Sequence, residues 1–226
     1  MSCCPAVMEP SKDTARNTIT AKTYHNTKLF VAGPAHAKAG LIAIPDIFGP
    51  DSGRIKQDAE VLAKLATLCF EKVAGAHVAN AIAYLQQDVG VESITSYGYC
   101  WGAYVGAKQS ALSTPVINGH VSFHPSWIAE QLVNGEGAVG KMTEAISVPQ
   151  LLCSAGNDPP LVSEGGVVET ILKAKPAVAE QTNVINFPDM IHGWVCRGDI
   201  EDVATKEAVK KAWHLATEFF QKVNPL

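Results

Sequence analysis

The sequence lacks an excess of basic charge: 18 Lys and Arg stand against 22 Asp and Glu in 226 residues, for a net charge of −4. No basic face stands out, so neither nucleic acid nor an anionic membrane is an expected partner. It lacks an apolar run long enough to span a bilayer. The opening Met1-Ser2-Cys3-Cys4-Pro5 has no basic stretch followed by an apolar core, which argues against a secretory signal. The six cysteines (Cys3, Cys4, Cys69, Cys100, Cys153, Cys196) lack the regular spacing of a disulfide framework. A reducing, cytoplasmic setting is therefore expected. The Cys-x-x-Cys spacing of a metal site is missing, and so is a Gly-rich phosphate loop with its lysine. No metal and no cofactor are expected.

What is present is an ordinary core-forming composition, 47% hydrophobic and 18% charged. Residues 1–16 read as a polar leader and residues 17–226 as one α/β domain, without an internal repeat or linker. Thr18 to Thr23 and Lys28 to Ala32 carry strand signals around a turn at Asn26. Leu41-Ile42-Ala43-Ile44 is a short unbroken apolar run that suits a buried central strand. A loop, Pro45-Asp46-Ile47-Phe48-Gly49-Pro50, follows, and Ser52 offers an N-cap for a helix to about Leu68. A second helix is expected over Val73 to Gln87, closed by Gly90. Further strands are expected at Val116 to Phe123, Gln150 to Ser154 and Asn183 to Phe187. Helices are expected at Trp127 to Val133, Gly165 to Lys173 and Ile200 to Val223, with Gly135 to Gly140 a loop. Strands alternating with helices predict a mostly parallel central sheet with helices on both faces.

The stretch that carries chemistry is Gly98-Tyr99-Cys100-Trp101-Gly102. It lies between a strand-like run, Ser93 to Tyr97, and a helical run, Ala103 to Ala111. Small residues around one reactive side chain at a strand-to-helix turn are the pattern of a nucleophile elbow, with Cys in place of the commoner Ser. The helix that starts just after Cys100 points backbone N–H groups at it, which favours a thiolate and supplies an oxyanion donor. Gly156-Asn157-Asp158-Pro159 and Asp189-Met190-Ile191-His192-Gly193 follow in the chain. Nucleophile, acid and histidine in that order predict an α/β-hydrolase fold.

Taken together, these motifs resemble the dienelactone hydrolases (the carboxymethylenebutenolidase family), α/β-hydrolases with a cysteine nucleophile. The resemblance rests on the leader Met1 to Pro5, the Pro45 to Gly49 loop, the Gly98 to Gly102 elbow, Gly156-Asn157-Asp158, and His192-Gly193-Trp194 with Arg197. It implies a hydrolase of small esters or lactones, with Cys100 as nucleophile, His192 as general base and Asp158 as the carboxylate that orients it. It implies an oxyanion hole from the N–H groups of Ile47 and Trp101. Asp46 stands where the family's bacterial members carry a Glu that helps deprotonate the cysteine, and Arg197 matches an anchor for a substrate carboxylate. No further partner beyond a small-molecule substrate is implied, and the chain is expected to be a monomer or homodimer. One departure stands out: residues 66–75 pass from helix to helix, so a central strand and its substrate-binding loop are expected to be missing. That gap motivates an alternative, a non-catalytic scaffold that binds a small carboxylate or a protein.

The same residues also have plainer readings. Arg197 could pair with Asp189 or Asp199 on the surface. His120 and His124 could shape the pocket or bond to backbone. Trp101, Trp127 and Trp194 are expected in the pocket wall or core, and Cys69, Cys153 and Cys196 are expected to pack.

Overall fold

All six residues of Ala39-Gly40-Leu41-Ile42-Ala43-Ile44 are buried. A strand with no polar face needs a neighbour on each edge and cover on both sides. The computed structural model, which describes residues 19–33, 37–55, 67–70 and 75–224, supplies both. The strands are β1 (Thr20–Tyr24), β2 (Thr27–Ala32), β3 (Ala39–Ile44), β4 (Thr67–Phe70), β5 (Ser93–Tyr99), β6 (His120–Phe123), β7 (Gln150–Ala155) and β8 (Asn183–Phe187). They form one sheet in the order β1-β2-β4-β3-β5-β6-β7-β8. The hairpin β1–β2 and the pair β2–β4 are antiparallel. Every pairing from β4 through β3 to β8 is parallel.

The described helices are α1 (Ala76–Tyr84), α2 (Trp101–Ser110), α3 (Ile128–Asn134), α4 (Ala138–Ala145), α5 (Val167–Lys173), α6 (Pro176–Ala179), α7 (Trp194–Arg197) and α8 (Val203–Val223). They cover both faces, and the alternation along β5 shows how. Tyr97 and Tyr99 point to one side, where they join Phe123, Trp194 and the α8 residues Ala212, Ala216 and Phe219. Ile94 points to the other, with Val78 and Ala81 of α1 and Val105 of α2. A third cluster packs Trp127 and Met142 beneath α3 to α5. Trp127 and Trp194 are buried, as expected of them.

The strand expected to be missing is present. Thr67-Leu68-Cys69-Phe70 is β4, seated between β2 and β3. It is four residues long and follows an Ala- and Leu-rich run of helical spacing, so the sequence reads as the tail of that helix. The open edges of β2 and β3 supply the pairing that the short run could not announce, and its Thr and Phe suit it to accept. The expectation that its substrate-binding loop is missing concerns residues after β4 that lie outside the described residues. So do the leader 1–16 and most of the helix expected after Ser52. Other boundaries move. The expected strand from Val116 is ordered as a strand only from His120. The expected loop at Gly135 to Gly140 becomes helix α4 from Ala138 onward. The helix α1 continues as a π turn, Leu85–Val89, and Gly90 stops it at φ 76.

Candidate active site

The parallel strands bring their C-terminal ends to one rim, and the chemistry-bearing residues of the sequence sit there. Cys100 follows β5, Asp158 follows β7 and His192 follows β8. The elbow is tight. Cys100 has φ 54 and ψ −116, a conformation that costs a non-glycine residue about 1–3 kcal/mol. It is held by its N–H on Phe123 O at 3.0 Å and by the Ser126 N–H on its own carbonyl at 3.1 Å. A Cβ on Gly98 would lie 2.4 Å from the backbone of Gly102, so the strand and α2 can meet only where side chains are absent. Trp101 opens α2, and its N–H therefore has no intrahelical acceptor.

Asp158 and His192 form a direct pair. Asp158 Oδ1 lies 2.5 Å from His192 Nδ1, and its Oδ2 accepts from Ala155 N–H at 2.7 Å. Both residues are buried. In a neutral ring the carboxylate selects the tautomer with the proton on Nδ1, which leaves the lone pair on Nε2. Asn157 accepts the His192 N–H at 2.6 Å, and Gly156 allows the β7 loop to lie against the carbonyl of Pro188. The Cys100 Sγ lies 3.3 Å from Ser126 Oγ. His192 Nε2 is buried and has no hydrogen-bond partner among the described residues.

The Asp46 loop forms the other wall. Asp46 Oδ1 accepts from Phe48 N–H at 3.0 Å, and its Oδ2 accepts from Ser52 Oγ at 3.2 Å. Ser52 thus serves Asp46 with the hydroxyl expected to cap a helix. Arg197 Nε lies 3.4 Å from Asp46 Oδ2, and both side chains are nearly enclosed. Burial pushes the Asp46 carboxyl above its ordinary range, and Arg197, Phe48 N–H, Ser52 and His192 pull it back only in part. Arg197 therefore pairs inward with Asp46, not with Asp189 or Asp199 on the surface. The exposed ring of Phe48 lies over its guanidinium at 5.1 Å. Arg54, a residue outside every motif of the sequence, donates to the carbonyls of Val195 at 2.7 Å and Gly198 at 2.5 Å, and so closes the C-terminal end of α7.

Two histidines support this rim from below. His120 and His124 stand four apart, but they face opposite ways and do not make a ligand pair. His120 Nε2 donates to Ala103 O at 3.2 Å, and its Nδ1 accepts from Ser96 Oγ at 2.8 Å. It thus ties β5 and β6 to the first turn of α2. Burial pushes its pKa down to about 3, against the weaker upward pull of those bonds. His124 lies against His192 and Cys196. Ser126 and Arg54 were missed because nothing in local sequence marks them; Asn157 stands in the Gly156-Asn157-Asp158 motif, but its hold on the His192 backbone depends on a partner 35 residues away. Among the described residues no cluster of His, Cys, Asp and Glu could hold a metal ion. No helix there is long and apolar enough to cross a membrane.

The buried neutral state of His120 makes a prediction. Its folded pKa lies below the ordinary 6.5, so the unfolded chain binds the extra proton as pH falls. Stability should drop between pH 6.5 and 3 by roughly 1 kcal/mol per pH unit from this residue. Urea melts of wild type and His120→Gln across pH 7 to 4 check it: the variant should show the shallower slope, and equal slopes would refute the assignment.

A family model described as the dienelactone hydrolase family matches residues 28–224. An uncharacterized AIM2 family protein of Schizosaccharomyces pombe is 30% identical over 135 residues, which are 58% of this chain and 47% of that protein. The chain thus spans about half the length of the curated relative that it matches. Among solved structures, the acylaminoacyl peptidase of Pyrococcus horikoshii is similar with a TM-score of 0.67 at 12% identity, covering 90% of this chain and 41% of that one. Est1E of Butyrivibrio proteoclasticus has a TM-score of 0.60 at 12% identity, covering 89% and 100%. The enol-lactonase of Burkholderia xenovorans has 0.53 at 12%, covering 88% and 100%. At these identities the structural matches establish the α/β-hydrolase fold.

Proposed function

The chain belongs to the dienelactone hydrolase family, and from that premise we propose that it cleaves a small ester or lactone through Cys100, His192 and Asp158. Family and fold support an ester or lactone hydrolase. The observation that carries the finer reading is the buried 2.5 Å contact of Asp158 with His192, on the same rim as a strained Cys100. The thiol turns from Ser126 toward His192, and Nε2 takes its proton. The thiolate attacks the acyl carbon, and the tetrahedral oxyanion is held by the N–H groups of Ile47 and Trp101. The C–O bond breaks, and the leaving oxygen takes the proton from His192 to leave an acyl-thioester on Cys100. Water then attacks the thioester as His192 removes its proton, and the acid and the free thiol are released. Arg197 serves as the anchor for a carboxylate on the substrate, and Asp46 balances its charge when the site is free. A free thiol nucleophile suits the reducing cytoplasm expected from cysteine usage.

The scaffold alternative rested on a missing strand, and β4 removes that ground. The test is mass spectrometry of the protein quenched during turnover of a p-nitrophenyl ester. An acyl group should appear on the Cys100 peptide, and Cys100→Ala should be folded, unlabelled and inactive. Full turnover by Cys100→Ala would overturn the reading.

A further inference from the structure

His124 has three properties that the proposed reaction leaves unused. It is fully buried. Its backbone sits at φ 39, in the left-handed region that a non-glycine residue enters only with strain. Its Nδ1 has no hydrogen-bond partner among the described residues, a further cost for a buried polar atom. Such a combination persists only where the surroundings fix it, and it gathers at functional sites.

The positive φ turns the ring out of the alternation of β6. His120 faces α2, whereas His124 lies along the ring of Tyr99 at 5.9 Å and 25°. It meets the ring of His192 at 4.9 Å and 69°. Its Nε2 is 3.8 Å from Cys196 Sγ, and that thiol points at the carbonyl of Gly193, the residue after the base, at 3.7 Å. His124 therefore touches the base and, through Cys196, the turn that follows the base. Asp158 holds His192 at one ring nitrogen and Asn157 holds its backbone. A hydrogen bond at one atom fixes a point, and the plane of the ring still has to be set by a wall.

We propose that His124 is a positioning residue for His192, the buried wall that fixes the plane of its imidazole so that Nε2 is presented to the thiol of Cys100. The proposal rests on the triad reading above. A base displaced by an ångström costs about a hundredfold in rate.

The test uses His124→Gly, which removes the ring and accepts the left-handed backbone without strain, and His124→Asn, which also tolerates that backbone. Both are measured for thermal melting, for kcat and KM on a p-nitrophenyl ester, and by NMR of the low-field His192 Nδ1–H signal. Expected are cooperative melts, kcat lower by about a hundredfold with KM near wild type, and a His192 signal broadened by motion. A folded variant of either kind with wild-type kcat and a sharp His192 signal overturns the proposal. The NMR signal separates the two failures: if wild type itself has no turnover, the triad reading fails, while the signal still reports whether His124 orders His192.

Discussion

Asp158→Asn should lower kcat by about ten-thousandfold while the protein stays folded. The reason lies in what each carboxylate oxygen accepts. Oδ2 takes the Ala155 N–H at 2.7 Å and Oδ1 faces His192 Nδ1 at 2.5 Å. Asparagine has one acceptor oxygen, and the buried backbone N–H of Ala155 claims it, since an unmet buried donor costs about 1–3 kcal/mol. The amide NH2 must then face His192 Nδ1. Both being donors would be repulsive, so the imidazole gives up its Nδ1 proton and carries one on Nε2 instead. That tautomer cannot accept a proton from the thiol of Cys100. The loss should fall on kcat, with KM and the melting temperature moving little. Steady-state kinetics with a calorimetric melt checks it, and a tenfold loss or less would mean that Asp158 is only a turn residue.

The elements that carry this pair were legible because their signals are local. An unbroken apolar run at Leu41 to Ile44 and the small residues around Cys100 can each be read within about six residues. The order of Cys100, Asp158 and His192 along the chain then placed them on one rim, because parallel strands all end on the same side. What escaped reading depends on partners distant in sequence. β4 is a strand because β2 and β3 leave room for one, and four residues after a helical pattern could not say so. Arg197 turns inward to Asp46, about 150 residues earlier in the chain, although Asp199 lies two positions away. His124 looked like a residue at a strand end, and its importance comes from a backbone angle that no local motif specifies.

Gly102→Ala should be the most damaging small change in the elbow, and it tests the two-donor oxyanion hole. A Cβ on Gly102 would lie 2.3 Å from Ile44 O and 2.4 Å from Pro45 O. Those are backbone atoms at the end of β3 and the start of the Asp46 loop, so no flexible side chain can yield. Relief requires α2 and the β3 end to separate by about an ångström, to reach ordinary carbon–oxygen contact. Trp101 rides on α2 and Ile47 on the loop after β3, so the separation pulls apart the two N–H groups assigned to the oxyanion. The direction is specific: Cys100 is anchored through Phe123 O and Ser126 N, on the β6 side, and is less affected than the gap between the donors. Loss of one donor costs about a hundredfold to a thousandfold in kcat. The overpacked elbow should also lose about 1–3 kcal/mol of stability. The signature is a protein that still forms the acyl-enzyme on Cys100 but does so slowly, seen as a reduced burst rate with p-nitrophenyl esters. Wild-type burst kinetics in a folded Gly102→Ala protein would show that the oxyanion is held elsewhere.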